Sequence, residues 1–463
     1  MIKEQRNDLT EGPILKGLVM MALPIMATSF IQMAYNLTDM FWIGFLGSGA
    51  VAAVGIAGFF IWLSQAFVFL GKTGTEIKVA QATGAGDHTK AESIARTGIQ
   101  ITMGIAVLYS MAIMLFRHPL IQFFDTRNDS VESMSLSYLA IIAAGLVFPF
   151  GNQVFTGIFN GRGNSKMPFK INAIGLIINM ILDPILINGA YVFPKMGVSG
   201  AAVATVIAQA VVFSIFFYNI RFKHSLFKHF LLFKRPDVNQ AISIMRLGFP
   251  PALQSALFTM ISMVIARIIA SYGALPIAVQ KVGSQIESIT WMTALGFSVA
   301  LGTFVGQNYG ASKFSRVLKG YHTAMRVAFS LGLFNTLLLF FGAKWLFMIF
   351  IREPEAIQLG IDYLRILALS QLFMCVEITS SGAFNGIGRT EPAAITSIVF
   401  NLLRIPMALY FSQMTMLGLN GIWWSITISS VFKGVIVYIW FGRIIKKRPE
   451  FHEFEVAHVI SNS

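Results

Sequence analysis

Twelve apolar runs follow one another along this chain, and most are at least as long as the roughly 20 residues an α-helix needs to cross a bilayer. Their approximate limits are 14–44, 50–82, 92–116, 132–160, 168–188, 197–221, 240–271, 275–308, 318–350, 356–385, 392–413 and 418–443. The longest exceed the hydrocarbon thickness, so tilt or protrusion is expected. Only 12% of the 463 residues are charged, against about 25% in an average soluble chain. No long polar segment is left over for a soluble domain. That excludes a soluble enzyme with an anchor and leaves an all-α integral membrane protein.

The net charge of +14 follows from topology. Alternate loops carry about 23 and about five basic residues, and the rule that basic loops stay inside places both termini in the cytoplasm. An even number of spans agrees. The basic excess therefore calls for no nucleic acid, and the expected surroundings are the bilayer of the cell membrane, with the chain acting as a monomer. The N-terminal stretch is polar with both charge signs and lacks a signal-peptide pattern. Cys375 is the single cysteine, so no intrachain disulfide can form. The seven histidines lie in loops, at helix ends or in the tail without metal spacing, and no Gly-rich phosphate loop is present. Neither an enzyme nor an ATP-driven pump is expected, and no cofactor.

The sequence repeats itself. VAQATGAGD at 79–87 matches VGQNYGASK at 305–313, and the same offset lays Pro24 on Pro250. YLAI at 138–141 matches YLRI at 363–366, FNGRGNS at 159–165 matches FNGIGRT at 384–390, and GVSG at 197–200 matches GLNG at 418–421. Two six-helix lobes are implied, 1–221 and 239–463, joined by a basic cytoplasmic linker at 222–238. Each lobe has an even number of spans, so an internal pseudo-two-fold along the membrane normal should relate them around a central cavity. Such a pair suits alternating access. The shared glycines read as turn and helix-end residues.

Polar residues inside the spans are the functional candidates. In the first span Gln32, Tyr35 and Asp39 fall at i, i+3 and i+7, on one helix face. A carboxylate at bilayer depth usually faces a bundle interior or a wet cavity. In the fifth span Asn179 and Asp183 are one turn apart, and Pro184 leaves the carbonyl of Met180 without its helical donor. Pro24 should bend the first span in the same way. Asp39, Asn179 and Asp183 could carry a proton or hold a sodium ion; two aspartates brought together in a low-dielectric cavity do not ionise together easily. The second lobe lacks the first aspartate, because Ile265 stands at the matching position.

Together these features resemble the multidrug and toxic compound extrusion (MATE) transporters. The resemblance rests on the LP start of the first span with an aspartate fifteen residues later and the Gln-x-x-Gly-Ala ends at 81–85 and 307–311. It rests also on the FNGxG turns, on Asn179 to Pro184, and on the G-x-x-G-A-A start at 197–202. It covers about residues 13–445. It implies a secondary-active exporter of amphipathic, cationic small molecules driven by protons, with sodium as the alternative ion. In the DinF-like branch the N-lobe carries coupling, which adds Asn160 and Thr205 to Tyr35, Asp39, Asn179 and Asp183. The NorM-like branch uses C-lobe acids that Phe258 and Met374 replace here; Glu377 lies a turn further on.

The C-lobe spans carry mixed charge: Lys281 with Gln285 one turn along, Glu287, Glu377 and Arg404. Lys281, Gln285, Glu377 and Arg404 are either substrate contacts or structural ion pairs. The mixture keeps an anionic or zwitterionic metabolite open as cargo. A flippase of lipid-linked precursors is a further reading. In the N-lobe, Lys72 and Glu76 stand one turn apart and are expected to pair.

Overall fold

Residues 8–124, 128–189, 193–223, 235, 237–448 and 450–451 are described by the structure, a computed structural model. Among them are thirteen α-helices: α1 Ile14–Gly44, α2 Ser48–Gly84, α3 His88–Gln122, α4 Asp129–Gly145, α5 Val147–Gly161, α6 Lys166–Asn188, α7 Val198–Tyr218, α8 Val238–Ala270, α9 Ala274–Gly310, α10 Phe314–Met348, α11 Pro354–Gly386, α12 Glu391–Gln413 and α13 Leu419–Lys446. Eleven are long and apolar enough to cross a membrane alone, and α4 with α5 makes a twelfth span bent by 46°.

The bend has a local cause. Pro149 has no N–H for the carbonyl of Gly145, and its ring crowds that carbonyl, so the helix breaks at Leu146. The repeat places Met374 in the position of Pro149, and α11 runs unbroken through it. Pro24 and Pro184, where bends are expected, both lie inside helices that continue past them, α1 and α6.

The helices pack in two units. One comprises Ala27–Ala252, and the other comprises Asn7–Met26 with Leu253–Ser463, so far as these residues are described. Both crossings occur inside a helix, and both follow a proline. Pro24 precedes the passage at Met26–Ala27, and Pro250 and Pro251 precede the passage at Ala252–Leu253. The matched prolines of the repeat thus stand where the chain passes from one unit to the other. Most of the linker expected at 222–238 falls outside the described residues.

Repetition extends to individual hydrogen bonds. Gly163 N–H donates to Asn160 O at 2.8 Å, and Gly388 N–H to Asn385 O at 2.9 Å. Both glycines have positive φ, 81° and 74°, which an L side chain resists. The first Gln-x-x-Gly-Ala turn uses Gly86 at φ 72°; in the second, Ser312 holds φ 58° in the equivalent place.

Within lipid, close packing and polar contacts rather than transfer from water hold helices together. Accordingly, a Cβ at Gly382 on α11 would lie 2.0 Å from the carbonyl oxygen of Ser298 on α9, so only glycine admits that approach. In the first unit Gly74 of α2 has the same relation to Ile244 of α8, at 2.1 Å. Phe155, Phe159 and Phe216 fill the core nearby. In the second unit the segment before α1 is strapped down: Leu9 is buried, and its carbonyl accepts from Asn308 Nδ2 at 3.0 Å. Arg316 donates to the carbonyls of Glu11 and Gly12, both at 2.7 Å. Burial pushes the Asp8 carboxyl up, but hydrogen bonds from Thr10 and the charges of Lys313 and Arg316 outweigh it and hold the group below its ordinary value.

Candidate functional site

The first unit gathers the aspartates. Asp39, near the end of α1, and Asp183, near the end of α6, bring their side chains into hydrogen-bond reach of each other. Asn179 Nδ2 donates to Asp183 Oδ1 at 3.2 Å, as the one-turn spacing requires, and its side chain also reaches Asp39. Thr205 on α7 donates to Asp39 Oδ2 at 3.4 Å. Asp183 and Asn179 are 0% exposed, while Asp39 is half-buried. Tyr35 is buried beside Gly175, whose Cβ would stand 2.9 Å from the phenol oxygen.

Two oxygens of this group, Asp39 Oδ1 and Asp183 Oδ2, are buried without a hydrogen-bond donor among the described residues. Asn179 Oδ1 and Tyr35 Oη are also without hydrogen-bond partners among those residues. Paired carboxylates with free oxygens form a proton- or cation-accepting arrangement. Sequence reasoning missed Tyr138 on α4, which is buried within electrostatic range of both aspartates. Its only signal was its place in the repeated YLAI stretch.

Two of the expected N-lobe residues lie elsewhere. Gln32 is exposed. Asn160, one residue from the end of α5, is buried against Glu76 of α2. Lys72 acts on Glu76 through its charge, but no ion pair within 4.0 Å joins them among the described contacts. Gly157 makes room for both: a Cβ there would lie 3.3 Å from Lys72 Cγ and 3.5 Å from Glu76 Oε2.

In the second unit Lys433 Nζ lies 3.1 Å from Glu377 Oε2, and Ser397 donates to Glu377 Oε1 at 2.6 Å. Arg404 donates through Nε to Ser429 Oγ at 2.7 Å and through Nη2 to Ser430 Oγ at 3.0 Å. Its guanidinium is hydrogen-bonded by hydroxyls, and Glu377 and Glu287 act on it through their charge. Glu287 takes a hydrogen bond from Tyr363. Lys281 is exposed and Gln285 half-buried, and neither joins this network. A cavity of about 460 Å³ opens at the start of α10, lined by Ser312, Lys313, Ser315, Arg316 and Lys319; none of the buried charged residues borders it.

Repeated membrane helices with carboxylates buried between them fit a polytopic transporter. The MatE family model matches it twice, over residues 24–185 and 250–410, in the same register as the internal repeat. The chain therefore belongs to the MATE family, whose members are transporters and not enzymes. It is 28% identical to a probable multidrug resistance protein NorM of Thermotoga maritima, over 92% of each chain. It is 27% identical to the probable multidrug resistance protein YpnP of Bacillus subtilis, over 94% of this chain and 96% of that one. A protein of Shewanella oneidensis named as an FAD transporter is 25% identical, over 95% and 97%. In fold it is similar to a MOP superfamily transporter from Pyrococcus furiosus, with a TM-score of 0.87 at 24% identity, covering 96% and 98%.

Proposed function

We propose that this transporter exports amphipathic, cationic small molecules in exchange for protons, by alternating access. The observation that carries the reading is the meeting of Asp39 and Asp183, each with a buried oxygen that lacks a donor. One proton shared between the carboxylates would satisfy both oxygens and remove a negative charge. A cationic substrate needs that charge, so proton and substrate exclude one another at the pair. Exclusion of this kind is what exchange requires: each ligand leaves only as the other arrives. Thr205 and Asn179 orient the two carboxylates, and Tyr35 and Tyr138 line them. Phe258 and Met374 stand where the NorM-like branch carries acids, which favours coupling in the first unit.

Sodium is the competing ion, since Asn179 Oδ1 adds a third free oxygen. The basic loops favour a cell-membrane protein with both termini in the cytoplasm. Proteoliposomes given a proton gradient or a sodium gradient, one at a time, test the reading with a fluorescent amphipathic cation as probe. Export driven by the proton gradient alone is expected; export driven by sodium alone reassigns the ion.

Arg404 favours a second reading. The guanidinium spends its hydrogen bonds on two neutral hydroxyls, while Glu377 and Glu287 act on it only through their charge, so donors remain for an anion, and the Shewanella relative is named for an anionic dinucleotide. Competition of flavin adenine dinucleotide with the cation in the same vesicles would support an anionic or zwitterionic cargo.

A further inference from the structure

Glu76 is a half-buried acid, its Oε1 fully covered, that the aspartate pair does not use. It lies on α2 eight residues before the helix end at Gly84, and Asn160, which contacts it, is one residue from the end of α5. Asp39 and Asp183 lie near the opposite ends of the spans, since α1 and α6 run counter to α2 and α5 and both end five residues after their aspartates. The first unit therefore holds acidic groups close to each of its two ends.

Two oxygens at the Glu76 end want a donor. Among the described residues Glu76 Oε1 is buried without a hydrogen-bond partner, and so is Oδ1 of Asn160, a residue only 4% exposed. Lys72 is the charged group that acts on Glu76 among the described residues, and it stays out of ion-pair contact. The other ionisable groups nearest in sequence to the site are Lys78, further along α2, and the buried Arg162, two residues past Asn160; the α2 glycines just before Glu76 meet uncharged groups. α3 sets Thr102 against Gly71, and α8 sets Ile244 against Gly74. A single proton resolves both oxygens: Glu76 becomes an O–H donor, and Asn160 Oδ1 can accept from it.

We propose that Glu76 and Asn160 form a second proton-binding site in the first unit, at the membrane face opposite the aspartate pair. The close approach of α5 to α2 at Gly157 and Gly161 holds it together. The site stands independently of the role given to Asp39 and Asp183.

Infrared difference spectra of the full chain in lipid nanodiscs, recorded between alkaline and acidic pH, test it. The expected result is a protonated-carboxyl C=O band that disappears in Glu76→Gln and persists in the double variant Asp39→Asn/Asp183→Asn. Asn160→Ala should keep that band and move its frequency, because the carboxyl loses a hydrogen-bond partner. This variant serves also if Glu76→Gln does not fold. Carboxyl bands that are complete in Glu76→Gln, or a spectrum unmoved in Asn160→Ala, overturn the proposal. Loss of bands in the aspartate variant alone does so as well, while leaving the exchange reading intact.

Discussion

Lys433 on α13 and Glu377 on α11 form a buried ion pair, with 3.1 Å between Nζ and Oε2 and each side chain less than a tenth exposed. Removing one partner leaves the other charged and unpaired in a low-dielectric setting. Glu377→Gln or Lys433→Met should each destabilise the protein by about 3–5 kcal/mol. The double variant should recover most of that loss. Thermal melting of the purified chain in detergent checks both, and recovery distinguishes a structural pair from a substrate site.

Ser312 occupies a left-handed conformation that Gly86 fills in the first half of the repeat. Ser312→Gly should relieve strain of about 1 kcal/mol and raise the melting temperature. At Gly86 the reverse change, Gly86→Ser, should lower it by a similar amount.

Gly382→Ala would drive a methyl group into the Ser298 carbonyl of a neighbouring helix, where the approach is 2.0 Å. Backbone cannot swing aside as a side chain can. A loss of about 1–3 kcal/mol or more is expected, measured as lower yield of monodisperse protein and earlier melting.

Asp8 lies outside the membrane spans, and its folded pKa is held below the ordinary 3.8. A depressed carboxylate contributes stability above its unfolded pKa, and that contribution is lost as pH falls through the folded value. Asp8→Asn should therefore cost up to about 1 kcal/mol at pH 7, the size of a solvent-screened surface interaction. The difference from wild type should shrink as the pH falls below about 4. Melting curves of the two proteins across pH 3–7 provide the comparison.

Much of this was legible in the sequence because membrane helices and repeats leave coarse signals. Span limits such as 166–188 against the expected 168–188 follow from apolar length alone. Asn179 and Asp183 share a contact because a one-turn spacing fixes it. Asp39 meets Asp183 across the unit, which spacing could not give; the charge in an apolar run pointed to it. The break at Leu146 was hidden because Pro149 lay inside an otherwise continuous apolar run. Resemblance groups Asn160 with the aspartates, and one-turn spacing pairs its partner Glu76 with Lys72. Which helix lies against which decides such contacts, and Gly157, whose only sequence signal is a small residue, makes this one. Lys433 was visible as a charge in a span, but its partner on α11 was not.

The meeting of Asp39 and Asp183 is the centre of the account, and Asp39→Asn tests it most directly. The amide keeps the size of the side chain and an oxygen for Thr205, while abolishing titration. Proton movement driven by an added amphipathic cation should be measured in proteoliposomes of wild type and variant, with folding checked by melting. A fall of at least about tenfold, the equivalent of 1.4 kcal/mol, is expected for Asp39→Asn. Full proton-coupled transport by this variant would contradict the account.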